Sequence, residues 1–137
     1  MIGQWKENGL DLILREAYEN GIVLAGLSAG SMCWFEEGLH DAVDGVFEAI
    51  ACLGFISGSH CPHYGNDELY SEAYRTAVGN SSLKGGVAAA NGVALHYVDS
   101  KLAQIVSSSS GAQACSIHAR NGEWIEIPLN VKCLELD

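Results

Sequence analysis

The apolar positions of this chain recur with two periods. Leu10, Ile13, Leu14, Ala17 and Tyr18 fall at helical spacing and predict a helix with one apolar face. Asn20-Gly21 ends it, since both residues tolerate the left-handed conformation that closes a helix. Ile22-Val23-Leu24-Ala25 follows as an unbroken apolar run led by two β-branched side chains. It predicts a strand buried on both faces, as in a parallel sheet. Helix then buried strand is the αβ half of a doubly wound unit. Residues 31–37 read as a short helix, 38–52 as mixed sequence with acidic Asp41, Asp44 and Glu48, 54–58 as a strand and 59–66 as a loop. A second helix is predicted over 67–78. Leu69, Ala73, Tyr74, Ala77 and Val78 share its face, Asn66 or Asp67 caps it, and Gly79-Asn80 stops it. Beyond residue 85 the pattern turns to strands, at 86–90, 93–98, 102–107, 113–118 and 123–127. Asn91-Gly92 and Asn121-Gly122 are hairpin signals, and Ser107 to Gly111 reads as a flexible connection.

Composition sets limits on this picture. At 137 residues, with 48% hydrophobic and 18% charged, the chain fits a single globular domain, with no internal repeat or linker. No apolar run approaches the roughly 20 residues of a membrane span. The first residues, from Met1 to Glu7, lack the basic start and apolar core of a signal peptide, so a soluble cytoplasmic protein is expected. Seven basic residues against 17 acidic ones leave a net charge of −10. That argues against nucleic acid or anionic membranes as partners, because the phosphate term needs clustered cations. Cys33, Cys52, Cys61, Cys115 and Cys133 are odd in number and irregular in spacing, which predicts reduced and mostly buried thiols.

The chemistry concentrates at Gly26-Leu27-Ser28-Ala29-Gly30, a G-x-S-x-G pattern placed between the predicted strand and helix. Such a turn reverses the chain sharply and leaves the serine hydroxyl exposed. The amide of Ala29, next after the serine, is then placed to donate to an oxyanion. Serine is a weak nucleophile and needs a base. Of the five histidines, His96 and His118 fall inside predicted strands and His40 lies in a connection. His60 and His63 share the loop that leaves the sheet at the edge where Ser28 is expected, and both stand as candidates. His60, Cys61 and His63 offer no second ligand pair for a closed metal site, so no metal and no cofactor are expected.

Gly26-Leu27-Ser28-Ala29-Gly30-Ser31-Met32-Cys33-Trp34-Phe35-Glu36-Glu37-Gly38 closely resembles the nucleophile segment of the peptidase E (aspartyl dipeptidase) family, related to cyanophycinases. Ser59-His60-Cys61-Pro62-His63-Tyr64 resembles its histidine segment, and the likeness spans nearly the whole chain. The resemblance implies an α/β fold like that of class I glutamine amidotransferases, here the C-terminal part of a doubly wound sheet ending in β-hairpins. It implies Ser28 as nucleophile, His63 as base and a triad carboxylate. Asn91 takes the likely acid position, where an amide orients the histidine without a full charge, and Asp41 matches a recurring acidic position of the family. The family also begins with further strands and a Gly-rich loop that supplies a second oxyanion amide. Met1 falls about where that loop should end, so residues 1–137 are expected to form a single, incomplete domain with an exposed edge and apolar face. The implied activity is hydrolysis of short peptides through an acyl-serine. The rival expectation is a non-catalytic relative that binds a small ligand or a partner chain. An N-terminal aspartate in the substrate needs a cation, for which Arg75, and after it Lys84, are the candidates. A homo-oligomer is left open.

Overall fold

The computed structural model describes residues 2–43 and 45–134. Met1 and Asp44, which the sequence reading singled out, lie outside them. Helices α1 (Ile2–Glu7) and α2 (Leu10–Glu19) precede the Ser28 turn and the single turn of α3 (Ala29–Met32). Strands β1 (Phe35–Val43), β2 (Val46–Ala51) and β3 (Ile56–Cys61) follow, then α4 (Glu68–Gly79). The remainder is strand: β4 (Gly86–Ala89), β5 (Val93–Val98), β6 (Lys101–Ser107), β7 (Ala114–Arg120), β8 (Glu123–Pro128) and β9 (Lys132–Cys133).

The fold is mixed α/β. Six strands form one sheet in the order β2-β1-β3-β4-β7-β8, and β5-β6-β9 form a second. Within the larger sheet only β1, β3 and β4 run parallel to one another. The helix α4 lies on this sheet. Tyr74, Ala77 and Val78 meet Leu39, Cys61, Leu83, Ala88, Cys115 and Ile117 in the main core. Asp67 caps α4 by accepting the Tyr70 N–H, as expected. The buried face of α4 differs from the expected one at its start. Leu69 is exposed, and Ser71 is buried instead, its hydroxyl tied to the Asp67 carbonyl and the Gly65 N–H.

Several sequence expectations are corrected. Ile22–Ala25 pairs with no strand. β1 already has β2 on one side and β3 on the other, so no interior position of the sheet is open to it. Residues 31–37 do not form a helix: α3 stops at Met32, and β1 starts at Phe35 because β2 and β3 on either side take its backbone groups, with Phe35 packed on His60 and Leu39 in the core under α4. The mixed stretch 38–52 is the β1–β2 hairpin, turned through Gly45 at φ 75. The strand expected at 54–58 lies later, at Ile56–Cys61, and takes His60 and Cys61 out of the predicted loop.

Asn91-Gly92 does not make a hairpin, since β4 pairs with β7 and β5 with β6. It carries the chain from one sheet to the other. The unforeseen hairpin is β5–β6, turned at Asp99-Ser100 with φ 48 and 61. A short polar side chain accepts that conformation without glycine, so the usual dipeptide signal was absent. Ser107 stands in both the strand expected at 102–107 and the flexible connection expected from it onward, and the strand holds: it is the buried end of β6. All five cysteines are free, and four of them are buried. Among the described residues no helix is long and apolar enough to cross a membrane.

Candidate active site

Ser28 holds φ 53 and ψ −124, a conformation uncommon for any residue with a side chain. Such backbone costs on the order of 1–3 kcal/mol and persists only where the surroundings enforce it. They do so here. Ser31 N–H, Met32 N–H and the Ser31 hydroxyl all donate to the Ser28 carbonyl, the last at 2.6 Å. Gly26 is required, because a Cβ there would stand 1.9 Å from the Gly30 carbonyl oxygen. Gly30 has open space around it, so nothing steric demands that glycine. The Ala29 N–H has no hydrogen-bond partner among the described residues and is exposed beside the serine. α3 is only four residues long, so the dipole contribution expected of a following helix is small.

His63 lies in the loop from β3 to α4, with φ 58, behind Pro62. Its carbonyl accepts from Asn66 N–H and Asp67 N–H, and the Tyr64 N–H donates to Ala89 O. Those bonds tie the loop to the start of α4 and the end of β4. The ring then reaches both ways. Nε2 lies 2.8 Å from Ser28 Oγ, and Nδ1 lies 2.6 Å from Asn91 Oδ1. An amide oxygen only accepts, so Nδ1 carries the ring proton and Nε2 is free to accept from the serine. Ser28, His63 and Asn91 are all exposed.

His60, the other candidate base, is buried. It stacks on Phe35 at 5.1 Å, and its Nδ1 donates to Val87 O at 2.8 Å. Burial pulls its pKa down to about 4, leaving a neutral structural ring.

The remaining candidates lie apart from this relay. Asp41 is in β1, not in a loop, opposite Phe47 in the hairpin, and forms no hydrogen bond to His63. Arg75 is committed elsewhere. It donates to Glu68 and to the Tyr64 hydroxyl, and its guanidinium lies over the rings of Tyr64 and Trp124. The Tyr64 hydroxyl in turn donates to Glu126, so the cluster ties α4 to β8. Lys84 pairs with Glu36 at 3.1 Å. The residue that sequence reading missed is Asn66. Its Oδ1 accepts the Asn91 N–H at 2.7 Å and fixes the position of the residue facing the imidazole. In the sequence it reads only as a helix cap, and nothing in its spacing from Asn91 signals the contact.

Ser28 Oγ, the His63 ring and Asn91 Oδ1 thus stand in one continuous line of hydrogen bonds. The sequence model of peptidase family S51 matches residues 1–105, which include all three members. The chain belongs to peptidase family S51. It is 49% identical over 130 residues to the uncharacterized peptidase YgaJ of Bacillus subtilis (strain 168), an alignment covering 95% of this chain and 56% of that relative. The chain therefore spans about half the length of the curated relative it matches. No solved structure matches it. The S51 match ends inside β6, so the β7–β8 hairpin that completes the large sheet lies beyond it.

Proposed function

We propose that this S51 chain is a serine-type hydrolase that cleaves short peptides through an acyl-serine intermediate. The observation that carries the reading is the continuous contact from Ser28 Oγ through His63 to Asn91. In the first step Ser28 Oγ attacks the scissile carbonyl while its proton passes to His63 Nε2. The carbonyl oxygen gains charge and takes a hydrogen bond from Ala29 N–H. His63 then protonates the leaving amine. Water, activated by the same nitrogen, cleaves the ester and restores the serine. No step needs a metal or a cofactor. The parallel run of β1, β3 and β4 is compatible with part of a doubly wound, glutamine amidotransferase-like sheet.

Asn91 limits the rate. It holds the ring and its tautomer, but a neutral amide does not stabilise the imidazolium as a carboxylate does. Labelling of Ser28 by a fluorophosphonate probe tests the reading directly. Ser28→Ala should abolish labelling and lower peptide hydrolysis by about 10⁴-fold or more, and Asn91→Asp should speed both reactions. Equal labelling of the wild type and Ser28→Ala sinks the assignment. The second reading, a non-catalytic binding relative, draws on the same amide in the acid position. An unlabelled Ser28 in both the wild type and Asn91→Asp would establish it.

A further inference from the structure

Asn91 is followed by Gly92, and its side-chain oxygen is held by a ring N–H. We propose that Asn91 is a self-deamidation site, at which the chain converts its own amide to the carboxylate that the relay lacks. Only the catalytic consequence rests on the function proposed above; the chemistry does not.

The step begins at the Gly92 amide nitrogen. Its N–H is given up to solvent base, and the nitrogen attacks Asn91 Cγ. As the N–Cγ bond forms, the carbonyl electrons move onto Oδ1. Nδ2 then leaves as ammonia, taking a proton, and a five-membered imide remains. Water adds to one imide carbonyl and opens the ring. Cleavage at Cγ leaves an aspartate side chain, whereas cleavage at the main-chain carbonyl leaves an isoaspartate. The net change is amide plus water to carboxylate plus ammonium, with no other reactant.

Three features of the site favour that path. Gly92 carries no side chain to crowd the attacking nitrogen and is already in the left-handed region at φ 79. Its N–H has no hydrogen-bond partner among the described residues, although its neighbours are engaged. Asn91 N–H donates to Asn66 Oδ1, Val93 N–H to Ala90 O, and Ser108 N–H to Gly92 O. Finally, the His63 Nδ1–H at 2.6 Å points at the oxygen on which charge develops. That is the arrangement of an oxyanion donor, set in place before the reaction starts.

The chain supplies its own comparisons in three other Asn-Gly pairs. At Asn8-Gly9 and Asn20-Gly21 the glycine N–H is held by Lys6 O and Tyr18 O, so the nucleophile is occupied. At Asn121-Gly122, in the β7–β8 turn, the asparagine amide has no donor on its oxygen among the described residues. Asn121 is thus the site without the donor, and Asn91 the site with it.

The test incubates the folded chain in mildly alkaline buffer made with heavy-oxygen water and follows each Asn-Gly peptide by mass spectrometry. Asn91 should convert about tenfold or more faster than Asn121, with one labelled oxygen incorporated per ammonia released. The converted chain should carry one negative charge beyond the −10 of the amide form. In denaturant the two sites should react alike. His63→Asn, which keeps a residue tolerant of the left-handed backbone, should slow Asn91 to the rate of Asn121. An Asn91 amide that outlasts Asn121 in the folded chain overturns the proposal, as does a His63→Asn chain with an undiminished rate. Fluorophosphonate labelling should rise with the aspartate fraction. Conversion to isoaspartate alone, or to aspartate with no gain in labelling, would refute the self-made acid, and Ser28→Ala leaves the mass readout intact in either case.

Discussion

Residues 2–28 and residues 29–134 are held in place by different forces. Neither α1 nor α2 buries a single residue. Ile22, Val23 and Leu27 are 58%, 86% and 90% exposed. What fastens α2 is largely polar: Arg15 donates to Leu53 O and lies 3.8 Å over the Phe55 ring, and Tyr18 meets the same ring edge-on. Lys6 of α1 donates to Cys52 O, and Asp11 has a buried carboxylate oxygen with no partner. The apolar Leu12 and Ile13 point outward at 70% and 61% exposure. In residues 29–134, by contrast, Tyr74, Val78, Cys61, Ala88 and Ile117 have no exposed surface at all. The relay bridges the two regions. Ser28 sits at the end of the weakly fastened one, and His63 and Asn91 stand at the rim of the well-packed one. Local opening costs least where few apolar contacts are buried, so Ser28 is the member of the relay most readily displaced.

That contrast predicts unequal responses to mutation. Ile117→Ala removes a fully buried side chain from the main core and should cost about 2–5 kcal/mol of stability, read as a drop in the urea midpoint. A loss near zero would mean that the sheet does not carry the stability assigned to it.

The next effect depends on pH and also belongs to the packed region. Burial depresses the folded pKa of His60 to about 4, while an unfolded histidine titrates near 6.5. The unfolded chain therefore binds the proton more tightly. The contribution is fully present above about pH 6.5 and is lost as pH falls toward 4, about 3 kcal/mol in all. Urea titrations across that window should show a shallower decline for His60→Gln, which has no ring to protonate. An identical decline in both proteins would show that His60 is open to solvent.

The same contrast explains how much was legible in the sequence. The packed region was read well wherever a local signal decides the outcome. The α4 boundaries follow from Asp67 and Gly79-Asn80, and the β7–β8 turn from Asn121-Gly122. The Ser28 turn was legible from its local glycine spacing, but the residues alone left both His60 and His63 open as its partner; only the family resemblance singled out His63, the ring that meets Ser28 Oγ. Partner choice was not. Nothing in Asn91-Gly92 tells a hairpin from a crossing between two sheets, since that depends on which strands lie beside β4 and β5. The apolar run Ile22–Ala25 reads as a buried strand by composition alone, yet a strand forms only where a neighbour offers its backbone groups. Arg75 illustrates a further gap. Its charge suggested a substrate anchor, but Glu68, Tyr64 and Trp124 claim it, and the nearest of them in sequence is seven residues away.

The smallest expected effect comes from the exposed strap. Val23 is 86% exposed and belongs to no ladder, so neither burial nor β-propensity acts on it. Val23→Ser should change the stability of the 137-residue chain by no more than about 0.5 kcal/mol, the range of surface substitutions away from special features. It should also leave the rate of Ser28 labelling unchanged, because the turn at Ser28 is fixed by bonds from Ser31 and Met32 and by the space that Gly26 leaves. A loss of about 2 kcal/mol would require Val23 to be packed as a core side chain is. A change in labelling without a change in stability would instead show that the strap sets the approach of Ser28 to His63. The two readouts together therefore tell whether the weakly fastened region only carries Ser28 or also aims it.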